Sequence, residues 1–380
     1  MAENQKLFDY HPVHPGKILK QLMDEKGWSQ DELAVITGRR RQTISEIISG
    51  KNGVTPDMAM VLAAALGNNA SDWLKWDATY RLSTLEGDGG IVEKRARLYE
   101  IAPVKEMQKR GWIRDVKEVL GLVEELKAFY GTDSLESTPQ FPVAMLRHSP
   151  APFLSAAEWA WCFRARQLAG AVLRVAVFEP KRLDAAEKRL RELESHPKQA
   201  RYLSAVLAEA GIRLVVVEPL PGTKIDGAAF WLDDQSPVIA ISGRIDRIDN
   251  IWFTVMHEWA HIRNNDALSV DSNILGDDDV PVLVLEEMER RANEQAAASL
   301  IPADELESFI RRVGPLYSKT RIIQFAHRMK IHPGIIVGQL QYRREIGWGT
   351  NREMLAKVRE SVIETTLTDG WGHSITPGIL

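Results

Sequence analysis

Several things are scarce in this sequence. Among its 380 residues there is one cysteine, Cys162, which excludes an intrachain disulfide framework and fits a reducing compartment. With no partner pattern around it, this cysteine reads as core filler. No run of about eighteen apolar residues occurs, and no basic stretch followed by an apolar one opens the chain. Neither a membrane span nor a secretory leader is expected, and the cytoplasm is the predicted location. An excess of charge of one sign is also missing: 48 Lys+Arg against 52 Asp+Glu leave a formal net charge of −4. DNA binding must therefore come from a local patch, and no membrane partner is expected. What remains is ordinary for a globular protein, 44% hydrophobic and 26% charged, with length for two or three domains. Tryptophan is abundant, eleven residues, most beside apolar positions as anchors of core or interface.

The chain is organised around Trp252-Phe253-Thr254-Val255-Met256-His257-Glu258-Trp259-Ala260-His261. Histidines at i and i+4 share one helix face, so both imidazoles reach a single metal ion. Glu258 lies about a hundred degrees round, beside the ion, where it serves as general base toward water that the metal activates. Zn²⁺ suits this set, because three protein ligands and an open position make water a nucleophile near neutral pH. Glu289 in Glu289-Arg290-Arg291-Ala292-Asn293 is the candidate third ligand, on a helix running to Leu300 and stopped by Pro302. Asn293, one turn further along the same face, is placed to hydrogen-bond a ligating histidine and fix its tautomer. Ala292, Ala296, Ala297, Leu300 and Ile301 predict close packing of this helix on the first.

Residues 12–82 read as short punctuated helices. Lys17–Met23 follows His14-Pro15-Gly16 and ends at Gly27. Ser29 with Glu32 forms a capping box for a helix to Ile36, and Gly38 marks the turn. Arg41–Ile48 closes at Gly50; Thr55-Pro56-Asp57 opens Met58–Leu66, closed by Gly67. Two short helices joined by a glycine turn within about five helices make a helix-turn-helix unit. The segment from His14 to about Leu82 resembles the Cro/repressor-like domain of the HigA antitoxin family. The resemblance rests on Ser29-Gln30-x-x-Leu33-Ala34, Thr43-Ile44-Ser45-x-Ile47-x-x-Gly50-Lys51 and Ala63-x-x-Leu66-Gly67. It implies a homodimer on double-stranded operator DNA, with Gln42, Thr43 and Glu46 facing base edges and Gln30, Arg40, Arg41 and Lys51 on phosphates. One departure stands out: Arg40 occupies the N-cap position where the family has Ser or Thr, within Arg39-Arg40-Arg41.

Residues 83–140 read as a helical connector, with amphipathic helices over Ile91–Met107 and Val116–Tyr130 interrupted by Gly87-Asp88-Gly89-Gly90. A turn-rich boundary precedes a second domain over 142–345. There, residues 151–170 look helical, and Val172–Phe178 is a strand or the end of a helix. Asp184–Ala210 is predicted as one long charged helix. Ile212–Val217, Ala228–Leu232 and Pro237–Ser242 are predicted strands. A small sheet leading into a metal helix is how many zincin peptidases are built, the edge strand pairing with an extended substrate. The fold class expected is mainly α with a small β-sheet (α+β). Leu306–Val313, Thr320–Lys330 and Pro333–Gln341 follow as helices. His327 and His332 are the candidate oxyanion donors, although each also reads as structural, His332 before a proline and His327 on a charged face. Residues 346–380 read as a polar tail with one further helix over Met354–Ile363 and a loose end.

Gly222–Trp231, Pro237–Ala240, Arg244-x-Asp246-Arg247-x-Asp249-Asn250-x-Trp252-Phe253-Thr254, the His-Glu-x-x-His and Glu289-x-x-Ala292-Asn293 together resemble the ImmA/IrrE metallopeptidases over about 150–345. The resemblance implies zinc, ligands His257, His261 and Glu289, general base Glu258, and cleavage of a repressor or antitoxin. Arg291 stands where that family commonly has Glu, and Trp259 replaces a small or aliphatic residue, a change expected to narrow the site. Two functions follow. One is a DNA-binding transcriptional regulator carrying a zinc endopeptidase. The other is a non-hydrolytic regulator or antitoxin whose second half is a sensor or a partner-binding module. The intact base favours hydrolysis, since a purely structural zinc site has no need of it.

Overall fold

The structure, a computed structural model, describes residues 13–84, 89–144, 154–266 and 282–373. The predicted break at Gly87-Asp88 and most of the predicted loose end, residues 374–380, lie outside those residues. Backbone contacts divide the chain into two compact units, 1–92 and 93–380.

The first unit holds α1 (Pro15–Lys26), α2 (Gln30–Thr37), α3 (Arg41–Ile48), α4 (Pro56–Leu66) and α5 (Ala70–Thr84). The punctuation visible in the sequence is what starts and stops these helices. Ser29 and Glu32 form the reciprocal capping box of α2, and Thr55 accepts the Met58 N–H at the start of α4. Gly27, Gly38 and Gly67 close α1, α2 and α4 in the left-handed conformation. Leu19, Leu33, Ile44, Ile47, Leu62 and Trp73 form the core. α1 crosses α3 so closely that a Cβ on Gly16 would lie 2.0 Å from the Ile47 carbonyl oxygen, so this contact admits only glycine.

The second unit is built on a four-stranded mixed sheet in the order β2-β3-β1-β4, from β1 (Arg213–Val217), β2 (Gly227–Trp231), β3 (Pro237–Ile241) and β4 (Leu367–Asp369). β1 runs parallel to β3 and β4, and β2 antiparallel to β3. The strands are apolar at nearly every position because both faces are covered. Leu214, Val216, Ala229, Ile239 and Ile241 face α12 (Ile248–Asn264), whose Trp252, Val255, Met256 and Trp259 complete that core. Val215, Val217, Ala228, Phe230 and Ala240 face α9 (Ala156–Gly170). That second core also takes in α6 (Gly89–Ile101), α7 (Val104–Lys109) and α8 (Val119–Tyr130), through Leu98, Met107, Leu126 and Phe129. On the outer edge of β2, Ala229 exchanges two backbone hydrogen bonds with Ala144, at 2.8 and 2.9 Å.

Three sequence expectations fail for identifiable reasons. Val172–Phe178 is neither strand nor helix; Leu173 and Val177 are exposed, and the place beside β1 is taken by β4. The long helix expected over Asp184–Ala210 is broken into α10 (Leu183–Leu193), a 3₁₀ stretch at Pro197–Tyr202 and α11 (Leu203–Glu209). Pro197 has no N–H to donate and forces His196 into an extended conformation, which ends the helix. The polar tail, finally, is not all tail. Asp369 of β4 forms a buried ion pair with Arg164 of α9 and accepts a hydrogen bond from Trp112 Nε1 at 3.0 Å. Met354–Ile363 is a 3₁₀ turn followed by a short helix rather than one element.

The charged residues before α12 act as anchors. Arg244 grips Asp226 through two oxygens, at 2.9 and 3.1 Å. Asp246 accepts the backbone N–H groups of Val358 and Arg359, and Arg247 bridges Asp249 and Gln341. Together they fix where α12 begins, and so where its histidines end up.

Candidate metal centre and nucleic-acid interface

α12 brings His257, Glu258 and His261 to one buried place, each with no exposed surface. α13 (Val282–Leu300) lies against it through Ala292, Ala296 and Leu300, small enough at two of three contacts for close approach. Glu289 of α13 faces both imidazoles, its oxygens 3.2 Å from His257 Nε2 and 3.4 Å from His261 Nε2. The two Nε2 atoms are 2.9 Å apart. One ligand atom from each residue falls within 4.8 Å of the others, which is the spacing of a common coordination sphere.

The far sides of the two rings decide their tautomers. His257 Nδ1 meets Asn293 Oδ1 at 3.1 Å, and His261 Nδ1 meets Asp266 Oδ2 at 2.8 Å. Both partners present acceptor oxygens, so each Nδ1 carries a hydrogen and each Nε2 is the nitrogen turned toward the shared space. Two inward Nε2 atoms and a carboxylate, once a cation displaces the His261 proton, make a donor set that fits Zn²⁺. Burial lowers the pKa of His257, although hydrogen bonding to Glu289 works the other way. Burial also opposes charge on His261, but Asp266 and Glu289 outweigh it and raise that pKa to about 10. The rings diverge because only His261 has a second carboxylate beside it. Burial would raise Glu289; the two imidazoles overcome this and bring it to about 2, so it is an anion.

Glu258 sits behind β2. A Cβ on Gly227 would come within 2.6 Å of both Glu258 Oε1 and Thr254 Cγ2, so only a glycine leaves this carboxylate its position. Trp259 is packed into the core. Cys162 is buried, and burial pushes its thiol well up, with the Glu158 and Glu258 charges adding to the effect. It is core, as its isolation in the sequence suggests.

A family profile described as helix-turn-helix matches residues 19–73, and one described as an IrrE N-terminal-like domain matches residues 209–337. The chain belongs to the helix-turn-helix family and carries an IrrE-like domain. His257, Glu258, His261 and Glu289 all lie within the IrrE-like match. The chain is 38% identical over 74 residues to virulence-associated protein A′ of Dichelobacter nodosus, covering 19% of this chain and 64% of that protein. It is 32% identical over 76 residues to YddM, an uncharacterized HTH-type transcriptional regulator of Escherichia coli, covering 20% and 80%. An addiction module antidote protein of the HigA family from Coxiella burnetii is similar at 29% identity, TM-score 0.21, over 22% of this chain and 94% of its own. The chain thus spans a little under two thirds of the first of these relatives.

In the helix-turn-helix module, α3 presents Arg41 and Gln42 to solvent, with Thr43 and Glu46 partly covered. Glu46 receives hydrogen bonds from Gln42 at 2.9 Å and Asn52 at 2.7 Å, so two of the expected base readers are tied to each other. Arg41 pairs with Asp31 at 3.2 Å. Arg40 and Lys51 are exposed, and Gln30 is the first residue of α2. Arg40 gives α3 no side-chain cap, as its replacement of Ser or Thr implies.

In the IrrE-like domain, α14 (Ala303–Val313), α15 (Lys319–Met329) and α16 (Pro333–Tyr342) follow the ligand helix. The His332 ring accepts the Gly334 N–H at 3.1 Å and so caps α16, while His327 is exposed on α15. Besides His261, His257 has Phe253 beside it, 6.2 Å between centroids, with Tyr342 a further 6.3 Å from Phe253. Sequence reasoning missed Asp266. Its only signal is position: Asn265 takes a left-handed conformation (φ 56°) just past the end of α12 and turns Asp266 back toward His261.

Proposed function

We propose that this chain is a DNA-binding transcriptional regulator whose IrrE-like domain is a zinc-dependent endopeptidase acting on a repressor- or antitoxin-type protein. The observation that carries it is the convergence of His257, His261 and Glu289 within 4.8 Å, with both outer nitrogens tied to acceptors. When bound, zinc supplies the Lewis acidity that makes water a nucleophile near neutral pH.

The chain's own residues do the rest. Glu258 takes the proton of the attacking water and delivers it to the leaving nitrogen as the peptide C–N bond breaks and a C–O bond forms. Its complete burial keeps bulk water from competing for that proton. β2, an edge strand antiparallel to its neighbour, runs beside the base and offers backbone groups to an extended peptide. Ala144 already occupies that edge at Ala229, which leaves the Gly227 end, next to Glu258, for substrate. The helix-turn-helix module reads operator DNA as a homodimer, α3 in the major groove, with Arg40, Arg41, Lys51 and Gln30 on phosphates and Gln42, Thr43 and Glu46 at base edges.

The deciding comparison is the zinc-loaded protein against Glu258→Gln, assayed on repressor and antitoxin proteins. Cleavage by the native chain, lost in the variant with zinc still bound, is the expected result. Operator binding with no cleavage by either protein points to the non-hydrolytic regulator. Mobility shifts with Arg41→Ala and Gln42→Ala test the DNA contacts: the first weakens all sequences and flattens the salt slope, the second relaxes specificity.

A further inference from the structure

We propose that Asp266, held by Arg291, is the positioning residue that fixes His261 as a metal ligand; this rests on the zinc reading of the cluster. His261 lies in the last turn of α12, where the helix itself constrains a ring least. The turn at Asn265 places the Asp266 carboxylate against the outer nitrogen of that ring at 2.8 Å, and the carboxylate is 2% exposed. The Asp266 oxygen accepts the hydrogen of His261 Nδ1, which leaves Nε2 as the ring nitrogen turned to the shared space, the one a cation takes in exchange for a proton. The same contact raises the ring's basicity as a ligand.

Burying that carboxylate is costly unless a cation answers it. Arg291 does so from α13, contacting Asp266 Oδ1 while 46% of its own side chain stays exposed. The pair therefore joins the end of the helix bearing two ligands to the helix bearing the third. It also sorts the two imidazoles. His257 is steadied by the neutral amide of Asn293 at 3.1 Å, and His261 by an anion with its own counter-ion. Loss of Asp266 should then damage one ligand and spare the other, which a general loss of folding would not do.

The test uses the full chain. Zinc affinity is measured by competition with a chromophoric chelator for the native protein and Asp266→Asn, with circular dichroism on both and cobalt(II) visible spectra as a report of the ligand set. About 10- to 100-fold weaker zinc binding is expected in the variant, with the helical signal unchanged and altered cobalt bands. In the zinc-loaded native protein, ¹⁵N-histidine NMR should show His261 protonated at Nδ1. If Asp266→Asn does not fold, that NMR result decides alone, and an unprotonated Nδ1 overturns the proposal. A native protein that binds no zinc removes the metal reading and this proposal with it. A native protein that binds zinc no better than a folded Asp266→Asn removes only the role of Asp266.

Discussion

His257 and His261 turn their Nε2 atoms toward each other at 2.9 Å, and Glu289 closes the same space from the neighbouring helix. Without a cation the His261 ring keeps a proton in that space; an ion that replaces it binds only the folded arrangement and so stabilises the folded state over the unfolded one. At a free zinc concentration about 1,000 times Kd, linkage adds about 4 kcal/mol. Melting curves of the native protein should rise on adding zinc and fall back with chelator. His261→Ala should abolish the zinc-dependent part. A zinc-independent melting temperature in the native chain would count against the centre.

Gly227 predicts a separation of chemistry from metal binding. Gly227→Ala sets a methyl group where Glu258 Oε1 and Thr254 Cγ2 now lie, 2.6 Å from each, so the base must shift. Hydrolysis should fall by up to about 10²-fold, as expected for a catalytic group displaced by about 1 Å. Zinc affinity should hold, since no ligand touches this position. Equal activity in the two proteins would show that Glu258 tolerates the displacement.

At Arg40 the helix-turn-helix module gives up stability for charge. Arg40→Ser supplies the missing N-cap of α3 and should stabilise the module by about 1 kcal/mol, read in a denaturant titration. It also removes a cation, so the slope of log affinity against log salt on DNA should shrink by about one ion. Tighter DNA binding by the variant would argue that Arg40 does not meet phosphate.

Glu194 gives a pH dependence with a definite sign. It has no exposed surface, and neither carboxyl oxygen has a hydrogen-bond partner among the described residues. Burial raises its pKa well above the usual carboxylate range. Above the unfolded pKa of 4.5 the folded protein then binds the extra proton. Stability from this group is therefore complete below that value and is lost as pH rises through the higher folded pKa. Glu194→Gln should melt higher than the native chain at pH 8, by about 2–4 °C for each kcal/mol recovered, and the gap should close toward pH 5. A gap that widens on acidification would reverse the assignment.

Legibility in the sequence followed the length and punctuation of each element. The two helices that meet at the cluster were readable because His257 and His261 share a face and Ala292, Ala296 and Leu300 repeat at helical spacing. α2 and α4 announced themselves through Ser29 with Glu32 and Thr55 with Pro56. The sheet was legible only in part. Val172–Phe178 has the composition of a strand but pairs with no strand among the described residues, whereas Leu367-Thr368-Asp369 has three residues, no pattern, and a place beside β1. No local rule reveals that place, because it is set by a buried pairing between Arg164 and Asp369. Asp266 escaped for a similar reason: its contact with His261 depends on one left-handed residue between them.

The position of β4 has a consequence for biosynthesis. Arg164 emerges from the ribosome some two hundred residues ahead of the carboxylate that neutralises it, and β1 waits about 150 residues for its outer neighbour. During that interval a nascent chain must either keep this guanidinium in water or shelter it elsewhere, with one side of β1 unpaired. The sheet beneath the histidines is thus completed only after His257, His261 and Glu289 have been made. A domain assembled in this order stays incomplete until the end of its own translation.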